Sequence, residues 1–361
     1  MARTEAAKII DNRIDAAPSR RLYRQITGRK YLVLASLCMI LAVSLILDIS
    51  LGPARLSVWE VASTVLWPSA GDATSQVIIW DIRLPMALMA AVVGAALAIA
   101  GAEMQTILNN PLSSPFTLGI SAAAGFGAAL AIVLGVSVIP FVGVVLVSVN
   151  AFFFALLASL AIYFLSRLRG VTVQTVILLG IALVFLFTSL LSLLQYIASE
   201  EALQQVVFWT LGSLVKAIWP KIGIAAGVLA ITIPFFVRQA WALTALRLGD
   251  ATAQSLGIDI EKLRLRTLIA ISVLAAVAVA FVGTIGFVGL VGPHVARMLT
   301  GEDQRFFLPT VAVAGAVLLS VTSIISKSII PGVLFPIGII TSLVGIPFFL
   351  SLILTQTRQL W

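Results

Sequence analysis

The 361-residue chain holds one cysteine, one histidine and little charge, and each scarcity removes a class of function. Cys38 lies inside an apolar run, so a single chain can form neither a disulfide framework nor a thiolate metal cluster. It reads as a small core residue. His294 alone cannot build a histidine metal site or pair with an evident serine or cysteine nucleophile. The sequence has no G-x-x-x-x-G-K-[ST] loop, which excludes Walker-type nucleotide binding. It also lacks H-E-x-x-H and G-x-S-x-G, so no catalytic, metal or cofactor site is expected. Charged residues are 11% of the chain, against about a quarter in a soluble domain, which excludes a soluble globule.

What fills the chain is apolar. A hydrophobic share of 60% and a mean hydropathy of +1.12 indicate an all-α polytopic membrane protein. The net charge of +8 does not point to nucleic acid, because the basic residues sit in short loops and near the N-terminus. Residues 1–30 read as a basic cytoplasmic tail, without the short basic start and cleavage site of a secretory signal, and residues 31–361 as the transmembrane domain. About ten transmembrane helices are expected, at Tyr31 to Ser50, Pro85 to Met104, Phe116 to Val136, Pro140 to Leu165, Val173 to Ile197, Ile222 to Phe236, Thr267 to Val282, Ile285 to Leu299, Leu308 to Ile325 and Ile337 to Leu354. With the tail inside, 18 Lys and Arg fall in cytoplasmic segments, Arg358 among them. Five fall outside: Arg55, Arg83, Lys216, Lys221 and Lys327. This asymmetry predicts that both termini are cytoplasmic.

Two stretches carry a pattern. From Arg83 an apolar run about one bilayer thick, rich in Gly and Ala, ends at Glu103 and Gln105 in the proline-broken hinge NNPLSSP, and a second run begins at once. Arg266 to Arg297 repeats that plan weakly, and inverted repeats are one way to read it. In the GFVGLVGPH turn the glycines suit close helix contact, and Pro293 suits the start of a helical turn.

Outside the membrane, Leu51 to Ile82 is expected to be a polar loop whose Trp59, Trp67 and Trp80 anchor it at the interface. In the other long segment, residues 238–266, Asp250 can stand at the start of a short helix that Gly257 caps. By its residues alone that helix is either an ordinary loop helix or a docking element. Ion-coupled carriers need ionisable groups at membrane depth, and only Glu103 qualifies, with Asp48 nearer the outer interface. The chain therefore lacks an engine of its own.

The motifs Arg83-Leu84-Pro85, GAALAIAGAEMQ (Gly94 to Gln105), Asn110-Pro111-Leu112 and Leu118-Gly119-Ile120-Ser121 resemble the FecCD family of permeases, which import ferric siderophores, haem and cobalamin. LGDATAQSLGI from Leu248, GTIGFVGLVGPHVARML from Gly283 and PIGIITSLVGIPFFLSLIL from Pro336 extend the resemblance to the C-terminus. It implies a type II ABC importer permease of ten spans in a bacterial cytoplasmic (inner) membrane, paired with a second, identical or paralogous permease. Two ABC ATPase subunits would dock inside, a substrate-binding protein outside, and no nucleic acid is involved.

The family's coupling helix matches Gly249, Asp250, Ala253, Leu256 and Gly257, and its external docking cations match Arg83 and Lys327. The pathway is lined by the fifth and tenth spans, which here offer Thr172, Thr175, Thr188, Ser189, Ser192, Thr341 and Ser342. Such hydroxyls also often serve only to satisfy a helix carbonyl. The chain departs from the family at Met86, where many members carry a second arginine, and at Leu334-Phe335-Pro336, where they carry Glu-Leu-Pro. Iron-siderophore import is the expected function, with haem or cobalamin import as the alternative. An ion-coupled secondary transporter is the rival from another class.

Overall fold

The computed structural model describes residues 16–355 except 55, 68–71, 137, 139–144, 170–171 and 331. Arg55, Pro140, Arg358 and the first 15 residues thus lie outside the described residues. All regular structure within them is helical. The ten expected windows fall on α1 (Ala16–Ser50), α4 (Leu84–Ile107), α5 (Ile120–Leu134), α6 (Leu146–Arg169), α7 (Val173–Ile197), α9 (Trp219–Leu246), α11 (Ile260–Val282), α12 (Val288–Thr300), α13 (Gln304–Ser328) and α14 (Ile337–Thr355). Shorter helices lie between them: α2 (Val58–Leu66), α3 (Ala73–Gln76), α8 (Glu200–Thr210) and α10 (Asp250–Ser255). Among the described residues seven helices are long and apolar enough to cross a membrane, and α5 and α14 supply shorter apolar ones.

Helix α1 already begins at Ala16 within the basic tail, with Pro18 in its first turn, where a missing N–H costs nothing. Two expectations need correction. The segment from Leu51 to Ile82 is not a plain loop. Ser57 and Glu60 form a reciprocal capping box that starts α2 (3.1 and 2.7 Å), and Asp72 caps α3. From Val77 the chain then takes a π-helical turn straight into α4, in which the Leu84 N–H reaches the Ile79 carbonyl. Pro85 supplies no N–H to the turn before it, and a widened turn accommodates that gap. Trp59 and Trp67 are exposed, as anchors should be, whereas Trp80 is tied inward, donating to the Thr64 carbonyl (3.1 Å) and stacking near Trp219 (6.0 Å). Finally, α12 begins at Val288, so Pro293 lies inside it rather than at its start.

Helices α4 and α11 form the centre, with most of their apolar windows buried, while α1, α7 and α9 stand at the periphery with less than a quarter buried. Small residues allow the central contacts. A methyl on Gly94 would meet the Gly315 carbonyl of α13, and one on Gly101 would meet the Gly289 carbonyl of α12. In lipid the close approach of backbones replaces a hydrophobic driving force between helices. Each of α4 and α11 is followed by an irregular loop and then a short helix, α5 or α12, which is the parallel that the two sequence stretches suggest.

Candidate functional site

The two ends of the bundle hold the residues singled out by sequence, and they treat them differently. At one end α9 runs through Leu246 to Gly249, whose φ of 101° and ψ of 155° fall in a region essentially confined to glycine. α10 follows and stops in a Schellman motif: the Gly257 N–H bonds the Gln254 carbonyl (2.9 Å) and the Ile258 N–H the Ala253 carbonyl (3.1 Å), with Gly257 left-handed at φ 80°. The short helix and its glycine cap thus stand as the spacing predicts. Leu248 and Leu256 are exposed beside it (69% and 49%), and so is the Asp250 carboxylate. Ala253 is the exception: it is fully buried in the main core and faces away from any partner.

Sequence reasoning missed how α10 is attached. Buried Arg264 of α11 donates from Nη2 to Asp250 Oδ1 (2.8 Å) and from Nε to the carbonyl of Ile107 (2.8 Å), the last residue of α4. On the other flank Arg247 pairs with Glu302, which also pairs with Arg297 (3.0 Å), and Arg297 donates to Gln105 Oε1 (3.1 Å). Both flanks of α10 therefore connect to the last turn of α4, just before the Asn109 to Pro115 hinge. These arginines entered the sequence reading only as topology charges, since no spacing rule links residues 14 or more positions apart.

At the opposite end Arg83 and Lys327 are turned inward, against the expectation that they present themselves to a partner. Only 4% and 6% of their surfaces are exposed. Arg83 donates from Nη1 to the carbonyls of Ile49 (2.9 Å) and Ser50 (2.8 Å) and from Nη2 to that of Ala54. The last turn of a helix leaves carbonyls without intrahelical partners, and a cation there complements the dipole. Lys327 pairs with buried Asp48 (2.6 Å), donates to its carbonyl (2.7 Å), and shares that carboxylate with Ser323 (2.8 Å). The two cations fasten α1 to the π turn and to α13.

The pathway candidates divide as well. Thr172 caps α7, accepting from the Thr175 N–H (3.1 Å) with the two hydroxyls 2.8 Å apart. Thr188, Ser189 and Ser192 lie exposed on α7, whose broad uncovered face includes Phe185 and Tyr196. Thr341 and Ser342 instead bond the Gly338 carbonyl within α14 (3.0 and 2.8 Å), the local role that helix hydroxyls often take. His294 stacks edge-on against Phe348 (6.0 Å). Glu103 is fully buried, and neither carboxyl oxygen meets a hydrogen-bond partner among the described residues. No cluster of three metal-ligating side chains occurs among them.

Known proteins resemble this chain in sequence and fold. The family model of the FecCD transport family matches residues 40–355. An ABC transporter permease protein of Methanocaldococcus jannaschii is 39% identical over 93% of this chain and 98% of its own length. The hemin transport system permease HmuU of Yersinia pestis is 36% identical over 87% and 94%. More distant relatives, at 33% identity, include a vitamin B12 import permease of Serratia proteamaculans and a molybdate import permease of Haemophilus influenzae. The solved structure of a metal-chelate type ABC transporter in an inward-facing conformation aligns with a TM-score of 0.79 at 31% identity, covering 90% of this chain and 99% of that one. By sequence along almost its whole length, and by its fold, the chain is an ABC importer permease and belongs to the FecCD transport family.

Proposed function

We propose that the chain is the membrane subunit of an ATP-driven importer of ferric siderophores, paired with a second permease, with two ATPase subunits at the α10 end and a substrate-binding protein at the opposite end. One observation carries the reading: a short helix, capped by two glycines in conformations that side chains avoid, stands exposed with two leucines on a chain that has no nucleotide loop. The positive-charge asymmetry supports a cytoplasmic position for that end, where ATP is available. The uncovered face of α7 suits a second permease, and its exposed Thr188, Ser189 and Ser192 suit a polar pathway between the two. Relatives named for haem, iron chelate, vitamin B12 and molybdate support a metal-containing cargo, with haem or cobalamin as the alternative to a ferric siderophore.

Reconstitution in liposomes with the candidate ATPase and binding protein tests the reading. Uptake of a ferric chelate should require ATP and the ATPase and survive collapse of the proton and sodium gradients. Uptake driven by an ion gradient without nucleotide would establish the secondary-transporter reading instead.

A further inference from the structure

A concave chamber of about 590 Å3 opens at the end opposite α10. α8 forms one wall with Gln204, Gln205 and Phe208, the first turn of α9 and the segment before it contribute Lys221 and Lys216, and Phe335 closes the far side just before α14. The chamber therefore lies where α7 hands over to α8 and where α14 begins, at the ends of the two spans that the permease reading assigns to the pathway.

Its charge is one-sided. No carboxylate is found among the described lining residues, and neither lysine has an acidic partner among the described ion pairs. Lys221 Nζ donates instead to the backbone carbonyl of Lys216 (3.4 Å), which brings its amine to the Lys216 main chain. Lys327 at the same end is neutralised by Asp48 and Lys262 by Asp259. Two neighbouring lysines left without a counter-charge repel each other, and a concave low-dielectric wall focuses their field. The acids of α8, Glu200 and Glu201, stand in its first turn and do not line the chamber. Aromatic rings and two primary amides complete a surface that can take flat apolar groups and bond their oxygens. The volume is that of a small-molecule pocket, of about 300–1,000 Å3, and far exceeds what a bare ion requires.

We infer that this chamber is an entry subsite for an anionic metal chelate, with Lys216 and Lys221 as its charge-reading residues and Gln204 and Gln205 as hydrogen-bonding partners. The inference rests on the permease reading for its place in the pathway, but its charge can be measured without transport.

The test uses the full-length chain in membranes, with Cys38→Ser and a single reporter thiol introduced by Gln205→Cys. Rates of modification by an anionic (sulfonatoethyl) and a cationic (trimethylammonioethyl) methanethiosulfonate are compared with those at Trp59→Cys, an exposed position at the same end. The anion-to-cation ratio should be about tenfold higher at position 205, the low end of field focusing in a charged cleft. Lys216→Gln with Lys221→Gln should bring it to the reference value, while Lys216→Arg with Lys221→Arg should keep it. Anionic iron(III)–EDTA should protect the reporter thiol better than neutral tris(maltolato)iron(III), and removing the lysines should abolish the difference. Equal ratios at the two positions, or protection indifferent to the chelate's charge, would overturn the subsite. ATP-dependent uptake by the assembled importer is a separate readout: its absence counts against the proposed function, whereas uptake with a neutral chamber counts against the subsite alone.

Discussion

The buried cations at the two ends of the bundle look alike until their acidic partners are compared. Lys327 is 6% exposed and Arg264 is 7% exposed, and each is held by a carboxylate and a backbone carbonyl. Asp48, which pairs with Lys327, is itself fully buried, whereas the Asp250 side chain that pairs with Arg264 is 52% exposed. The first arrangement is closed on itself and holds α1 to α13. The second reaches from a surface helix to the last carbonyl of α4, so under the proposed function a partner pressing on Asp250 would be coupled to the interior. The exposure of the acid, more than that of the cation, separates a fastening from a link.

Breaking the closed pair should have the largest effect. Lys327→Met leaves Asp48 buried without a counter-charge, a change that costs about 3–5 kcal/mol when one partner of a buried pair is removed. The folded yield in detergent should collapse, and Lys327→Met combined with Asp48→Asn should recover much of it. If Lys327→Glu lowered only the affinity for a binding protein and left thermal stability intact, the cation would be a docking residue after all and the contrast between the ends would disappear.

The glycine after α10 comes next. Nothing lies within 4 Å of where a Cβ would stand on Gly257, so a substitution there is resisted by backbone conformation alone. A β-branched residue held at positive φ costs on the order of 1–3 kcal/mol, and asparagine much less. Gly257→Val should reduce co-purification of the ATPase while Gly257→Asn retains most of it, with membrane insertion unchanged in both. Ala253→Arg is not an equivalent probe, because Ala253 is buried and the larger side chain would disturb the core. Equal recovery of the ATPase with both Gly257 variants would remove α10 from the coupling surface.

The link itself should yield a graded effect. A lysine cannot copy the two directions in which Arg264 donates, one to Asp250 and one to Ile107. Arg264→Lys should therefore lower transport per ATP hydrolysed by about 2- to 30-fold, the range of mutations along physical coupling networks. Combining it with Asp250→Asn should add little. Additive losses from the two changes would show that Asp250 and Arg264 act separately.

How much of this could be read in the sequence follows the range of the interactions. Helix positions were legible because about twenty apolar residues in a row have few other uses, and Gly257 was legible because a cap is set by neighbours within a turn. The identity of the family was legible in contiguous motifs from Arg83 onward. The inward turn of Arg83 and Lys327 was not, because it depends on unsatisfied carbonyls at the end of α1 and on Asp48, 279 positions away from Lys327. The chamber around Lys216 and Lys221 was hidden for the same reason: its walls come from α8, α9 and the start of α14, and its lack of acid is a property of the assembled surface. The hydroxyls of α14 were misleading in the ordinary way, since a serine or threonine in a helix can satisfy itself locally.

The smallest effect belongs to a partly exposed pair at the α10 end and calibrates the other three. Asp303 caps α13, accepting from the Arg305 N–H (3.1 Å), and its carboxylate also receives the Arg305 guanidinium (2.7 Å). Hydrogen bonding from the Arg305 side chain holds the Asp303 carboxyl below the usual carboxylate range despite partial burial. A depressed folded value means that the contribution is fully present above the unfolded pKa, near 3.8, and is lost as the pH falls through the lower folded value. Stability should thus be insensitive to this pair from neutral pH down to about 4. Water screens the Arg305 head group, so the pair's own share should be within about 0–1 kcal/mol. Arg305→Gln should then move the thermal midpoint only slightly at pH 7, and Asp303→Asn, which keeps a capping oxygen, should do the same. A loss at Arg305→Gln as large as that at Lys327→Met would mean that burial of the acid does not decide what an ion pair contributes in this protein, and the distinction between its two ends would fail.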